Sequence, residues 1–310
     1  MKIKYPNLFI PGAAKSGTST LHEILNYHPN ISMSSVKEPF FWVNQNFLHY
    51  TQKNWDNYLA LFKEKKNATY RGESSTGYML FPEFLDRTKI LEIEKLKFIF
   101  ILRNPIDRIY SHYWYLKGLG SEDSDLKTAI LNDLEDEPNV TKCLPEGKYK
   151  HYFQYGLYGK WLSKFYDYFN SEQIKIVLFE DMICNPGLIA NECFVFLGLN
   201  ELNEIPMVYK NETVLLKFPK FHKQVLKSTN QIKERLRPTF KYFPKELKQF
   251  IKKIDLSAII IKRTTSKKSI PKITLEERLW LRDLYNEDVK LLKNLTHLDF
   301  EKWQDFKSLQ

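Results

Sequence analysis

The chain has 310 residues, 43% of them hydrophobic and 15% aromatic, which supplies a sizeable core and excludes a disordered or low-complexity protein. Lys and Arg outnumber Asp and Glu by 47 to 37, and the net charge of +10 directs attention to polyanionic partners: nucleic acid, anionic membranes or glycans, and highly phosphorylated small molecules. Three cysteines, Cys143, Cys184 and Cys193, lack CxxC or Cys/His spacing, so neither a disulfide framework nor a zinc site is expected and a reducing compartment fits.

The opening MKIKYPNLFI runs straight into a predicted strand at Leu8–Ile10 and has neither the apolar core nor the cleavage site of a signal peptide. No window approaches the roughly 18 apolar residues of a membrane span. PGAAKSGTSTL follows, and Thr18–Tyr27 sets Leu21, Ile24, Leu25 and His28 on one side of a helix that stops before Pro29. Ile31–Met33 and Tyr70–Glu73 are weaker strand candidates. Phe98–Leu102 and Ile174–Phe179 are apolar on successive residues, as parallel strands covered on both faces require. Between those two, a helix runs from about Pro105 to Leu119 with Asn104 as N-cap and Pro105 at the first helical position. Ser121–Pro145 is acidic and weakly periodic, and reads as a surface excursion over the sheet. A lysine-rich stretch from Lys210 to Lys272 precedes an amphipathic helix over Leu275–Leu295.

Strands alternating with helices indicate an α/β fold: a central parallel sheet flanked by helices, in a single domain over residues 1–310, since no Gly/Ser or Pro-rich linker interrupts the pattern. Four Asn-x-Thr sequons begin at Asn67, Asn139, Asn211 and Asn294; without a targeting segment they read as chance products of an Asn-rich chain, and a cytoplasmic location is expected.

A strand, a glycine turn and a helix start gather backbone N–H groups around one concave point, where the helix dipole adds positive potential. That describes a phosphate site. Gly12-Ala-Ala-Lys15-Ser16-Gly17-Thr18 puts its lysine two residues before the second glycine, so the Walker A order is not matched. Ser16, Thr18, Ser19 and Thr20 offer hydroxyls to phosphate oxygens, and Lys15 offers a point charge to a bridging or leaving oxygen. A second constellation is ILRNPIDRIYSHYWY. Arg103 stands at the carboxyl end of a buried strand, where open α/β sheets bind ligands, and Ser111 falls eight residues later on the following helix, so the two can hold a second phosphate. The competing reading for Arg103 is an ion pair with Asp107.

Together these two motifs resemble the 5′-phosphosulfate loop and 3′-phosphate segment of sulfotransferases that use 3′-phosphoadenosine 5′-phosphosulfate (PAPS). The resemblance continues in order through SVKEPFFW, RGESSTGYM, YGLYGKWLSKF, VLFEDMICNP, FLGL and LRDLYNEDVKLLKNL, so it covers most of the chain. KEPFF is similar to the heparan sulfate and carbohydrate branch and its bacterial relatives. The resemblance implies a P-loop-like phosphosulfate site, sulfuryl transfer to a hydroxyl or amine, and 3′-phosphoadenosine 5′-phosphate (PAP) as product. It makes Lys15 the electrophilic helper and Glu38 the general base, with Lys37 beside it. Lysine, arginine and backbone N–H groups can balance the leaving nucleotide without a metal.

Glu73 is the second carboxylate candidate, and Phe40, Phe41 and Trp42 are candidates for an acceptor wall, with core packing as their competing role. His22, His28 and His112 are expected to be packed or capping histidines. The basic segment Lys262–Lys268 is a candidate cover for the nucleotide. Two rival readings remain: a P-loop kinase or NTPase using Glu180 and Asp181, and a non-enzymatic binder of anionic polymers. Expected acceptors are a sugar or a small natural product, with a bacterial tailoring enzyme favoured, no nucleic-acid partner and no membrane span.

Overall fold

The computed structural model describes residues 5–63, 65, 67–91, 93, 95–143, 149–206 and 270–307, so the basic segment Lys262–Lys268 lies outside the described residues. Five strands, β1 (Leu8–Phe9), β2 (Ile31–Met33), β3 (Tyr70–Glu73), β4 (Lys97–Leu102) and β5 (Ile174–Leu178), form one sheet in the order β2-β3-β1-β4-β5. Every pairing is parallel. Among the described residues the helices are α1 (Thr18–Tyr27), α2 (Gln52–Leu59), α3 (Pro82–Ile90), α4 (Pro105–Gly118), α5 (Leu126–Leu134), α6 (Tyr158–Tyr168), α7 (Phe179–Cys184), α8 (Pro186–Phe196) and α9 (Leu275–Thr296).

The unbroken apolar run of β4 follows from its position. Phe98, Phe100 and Leu102 enter one core with Phe9, Trp42, Phe84 and Phe165, whereas Ile99 and Ile101 enter another with Leu8, Leu21, Ile24 and Phe194. One face of the sheet is therefore aromatic and the other mainly aliphatic. The chain leaves β1 toward β2 on one side and leaves β4 toward β5 on the other, so the carboxyl ends of β1 and β4 flank the point where the winding reverses.

The strands at Ile31–Met33 and Tyr70–Glu73 form as the sequence predicts, α1 has the predicted bounds, and α4 and α9 differ by one residue at their ends. The stretch Ser121–Pro145 departs from expectation by containing α5. Asp125 caps that helix by accepting from Thr128 N–H at 3.0 Å, and Leu126, Ala129 and Ile130 are buried. The apolar spacing was present there, diluted by acidic neighbours. Among the described residues no helix is long and apolar enough to cross a membrane.

Candidate active site

The turn after β1 is fixed at its base by both neighbouring strands. Ile10 N–H donates to Glu73 O at 2.9 Å, Ala13 N–H to Ile101 O at 2.8 Å, and Ile101 N–H to Gly12 O at 3.0 Å. Beyond that base, Lys15 (φ 67°) and Gly17 (φ 91°) adopt left-handed backbone, the alternation that turns successive N–H groups toward one concavity. Gly17 is required twice over, because a Cβ there would also stand 2.8 Å from both Met182 Cε and Phe179 Cδ2. α1 starts directly after it with no side-chain cap and no acidic residue in its first turn, leaving its N-terminal dipole for an external anion. Ser16 is fully buried and its Oγ has no hydrogen-bond partner. A phosphate oxygen would satisfy that hydroxyl, so the residues present fit a phosphorylated ligand.

The two phosphate motifs meet. Arg103 Nη1 donates to the Lys15 carbonyl at 3.3 Å, and the Arg103 guanidinium lies 4.8 Å over the Phe179 ring. Burial pulls the Arg103 pKa down, and nearby Asp107 and Glu180 oppose that pull. The expected alternative, an Arg103–Asp107 ion pair, is replaced by Asp107 pairing with Arg278 on α9 at 2.8 Å. Arg278 also holds Asp305 at 2.6 Å, and Asp305 accepts from the N-cap side chain Asn104 at 2.7 Å. Ser111 is half-buried on α4, and Thr18, Ser19 and Thr20 form the first turn of α1.

The Lys15 ammonium sits 4.0 Å over the Tyr115 ring. His112, one turn earlier on α4, is buried and its pKa is pushed well below the usual value by burial, then by Arg108 and Lys15. It stays neutral, and its ring stands 5.6 Å from that of Tyr155. The Tyr155 hydroxyl is held protonated by burial and by the adjacent Glu38 carboxylate. A continuous wall thus runs from Lys15 through His112 and Tyr155 to Glu38.

Glu38 is on a segment laid against the end of β3, with Ser34 N–H donating to Gly72 O at 2.8 Å, Glu38 N–H to Ser74 O at 2.9 Å and Phe40 N–H to Ser75 Oγ at 3.2 Å. Glu38 (φ 57°) and Phe40 (φ 49°) are both left-handed, a cost the surrounding bonds must hold in place. The Glu38 carboxylate accepts from Lys37 Nζ at 3.0 Å and Thr76 Oγ1 at 3.1 Å, and 13% of its side chain remains exposed. His22 belongs to this support: its ring nitrogens bond Ser74 Oγ at 2.8 Å and Ser34 O at 3.1 Å. His28 is likewise occupied, by Asn200 O and Asn30 N–H. All three histidines are packed, as the sequence predicts.

Glu73, Trp42 and Phe41 require a correction. Glu73 is fully buried and accepts from Tyr58 Oη, Tyr78 Oη at 3.0 Å and Ser75 Oγ at 2.8 Å, so it has no open face toward an acceptor. Trp42 is fully buried and donates to Tyr58 Oη at 2.7 Å, while Phe41 stacks on the Tyr58 ring at 3.9 Å. The structure places these three in the aromatic core beneath the site, because the turn at Phe41–Val43 points them inward. Sequence reasoning missed Tyr115, Thr76, Tyr155 and the Arg278–Asp305 brace. The first three lie inside quoted motifs, but only the tertiary fold brings them to Lys15 and Glu38. Glu180, the acid of the kinase reading, is committed to Asn104 N–H at 3.0 Å and Trp303 Nε1 at 3.1 Å.

Fold and site together define a parallel α/β protein in which a glycine turn holding a buried, unpartnered serine hydroxyl meets an arginine from the adjacent strand's end, with the largely buried Glu38 carboxylate on the neighbouring segment. The sequence profile of the sulfotransferase domain family matches residues 5–253, and the chain belongs to that family. Similar curated proteins include carbohydrate sulfotransferase 15 of Mus musculus, 25% identical over 265 residues and covering 69% of this chain and 46% of the relative. Another is bifunctional heparan sulfate N-deacetylase/N-sulfotransferase 1 of Caenorhabditis elegans, 27% identical over 212 residues and covering 64% of this chain and 23% of the relative. The chain thus spans about half or less of the length of these relatives. In fold it is similar to a sulfotransferase from Alicyclobacillus acidocaldarius, with a TM-score of 0.66 at 22% identity over 97% of this chain and 100% of that one.

Proposed function

We propose that the protein transfers a sulfuryl group from PAPS to a hydroxyl or amine of a saccharide acceptor. The single observation that carries this reading is the contact of Arg103 with the Lys15 carbonyl, which joins a 5′-phosphate cradle to a 3′-phosphate site across adjacent strands. A kinase loop has no use for the second site. The nucleotide supplies the activated sulfuryl group when bound, and this chain supplies orientation, charge and a proton acceptor. Lys15, the loop N–H groups and the α1 N-terminus bear on the leaving phosphate oxygen. Arg103 and Ser111 hold the 3′-phosphate, and Ser16, Gly17, Thr18, Ser19 and Thr20 complete the cradle.

Glu38 takes the proton from the attacking oxygen or nitrogen as the new S–O or S–N bond forms and the bond from sulfur to the phosphate oxygen breaks. Thr76 and Lys37 hold that carboxylate in place. Lys15 rests on Tyr115 until an anion draws it away, since a ring face competes weakly with a phosphate. The charge supplied by these groups suffices without a divalent cation in the transfer step. The saccharide acceptor rests on the names of the relatives, a carbohydrate sulfotransferase and a heparan sulfate N-sulfotransferase.

The test is transfer of labelled sulfate from PAPS to a panel of desulfated glycosaminoglycans, aminosugars and small phenols, with no added divalent cation. Labelled saccharide with release of PAP is the expected result. Transfer to phenols alone would overturn the acceptor class, and ATP turnover in place of PAPS consumption would overturn the reaction.

A further inference from the structure

Asp133, Asp136 and His151, none of which is assigned to nucleotide or acceptor, bring one ligand atom each within 4.8 Å of one another. Asp133 and His151 are buried and Asp136 is half-buried. His151 carries the observation that two acidic groups alone would lack: its ring is 2% exposed, and neither Nδ1 nor Nε2 has a hydrogen-bond partner. A dry imidazole with both nitrogens unsatisfied needs a ligand on one of them. Its Nδ1 stands 3.7 Å from Asp133 Oδ1. That separation is too long for a hydrogen bond. It is close to the roughly 3.4 Å that separates two donors on one ion at metal–ligand distances of about 2.1 Å in tetrahedral geometry.

The carboxylate is already oriented for the task. Asp133 Oδ2 accepts from Phe153 N–H at 2.6 Å, which leaves Oδ1 toward His151, the arrangement in which an outer bond fixes a metal ligand. Asp136 follows within one turn, with its N–H donating to Asp133 O at 3.3 Å, and its carboxylate pairs with Lys142. We infer that Asp133, Asp136 and His151 bind one borderline divalent cation of the Zn²⁺ class. One imidazole and two carboxylates suit Zn²⁺ or Co²⁺ over Ca²⁺ or Mg²⁺, which take all-oxygen shells. The ion ties the end of α5 to the segment leading to Tyr155, so its role is to brace that wall of the site rather than to enter the transfer step.

The experiment uses untagged full-length protein, stripped with a chelator, dialysed, and titrated with Co²⁺ and then Zn²⁺. The expected result is saturable binding of one Co²⁺ per chain with visible d–d absorption, loss of that absorption on adding Zn²⁺, and a rise in Tm with Zn²⁺. Asp136→Asn, at a half-buried position, should keep the wild-type circular dichroism and weaken Co²⁺ binding by roughly tenfold or more. His151→Gln should remove the absorption. Absence of one-per-chain binding, or either variant binding Co²⁺ as the wild type does, would overturn the inference.

Discussion

Glu38 and Glu73 are neighbours in the fold, joined through the bond from Glu38 N–H to Ser74 O, yet they meet opposite surroundings. Glu38 lies on a strained segment, steadied by Lys37 and Thr76, with 13% of its side chain exposed. Glu73 ends a central strand and is sealed by Tyr58, Tyr78 and Ser75. Burial raises its pKa from 4.5 to about 7, and the three hydroxyls only partly offset that rise. Both are plausible bases by residue type. They differ in access: the proposed base keeps part of its side chain exposed, whereas Glu73 is fully buried among three hydroxyl donors.

Replacing one and then the other should separate chemistry from architecture. The largest effect is expected from Glu38→Gln, a fall in transfer rate of about 10²-fold or more with PAP affinity and Tm unchanged, read by initial rates beside calorimetry. Retained turnover would remove the base assignment.

The next effect is in stability and belongs to Glu73. Folding raises its pKa, so the folded protein keeps a proton that the unfolded chain releases, and stability falls as pH rises from about 4.5 to about 7. The group's share of that decline is about 3 kcal/mol. Denaturant titrations across this window should show it in the wild type and lose it in Glu73→Gln. The folded fraction should still transfer sulfate. The smallest effect is expected from Thr76→Val, which removes one bond to Glu38 and should slow transfer about 3- to 10-fold without changing Tm by more than a few degrees.

The contrast also shows what the sequence could reveal. Buried parallel strands, the glycine turn and the Arg103 segment were legible because each is carried by a few consecutive residues whose pattern has one physical meaning. The roles of Glu38 and Glu73 were harder to rank, since exposure is a property of the assembled sheet and its aromatic face. Phe41 and Trp42 read equally well as pocket or core until the turn after Pro39 fixed their direction. The brace from Arg278 to Asp107 spans 171 residues of chain, and no local spacing announces it. Tyr115 gained meaning only when Lys15 was seen above its ring.

The measurement that bears most directly on the central claim is calorimetric titration of the wild type and Arg103→Ala with PAP and with AMP, which differ only by the 3′-phosphate. The account predicts that the wild type binds PAP at least tenfold tighter than AMP and that Arg103→Ala removes most of that difference. Equal affinity of the wild type for the two nucleotides would mean that no 3′-phosphate site is built beside Lys15, and would contradict it.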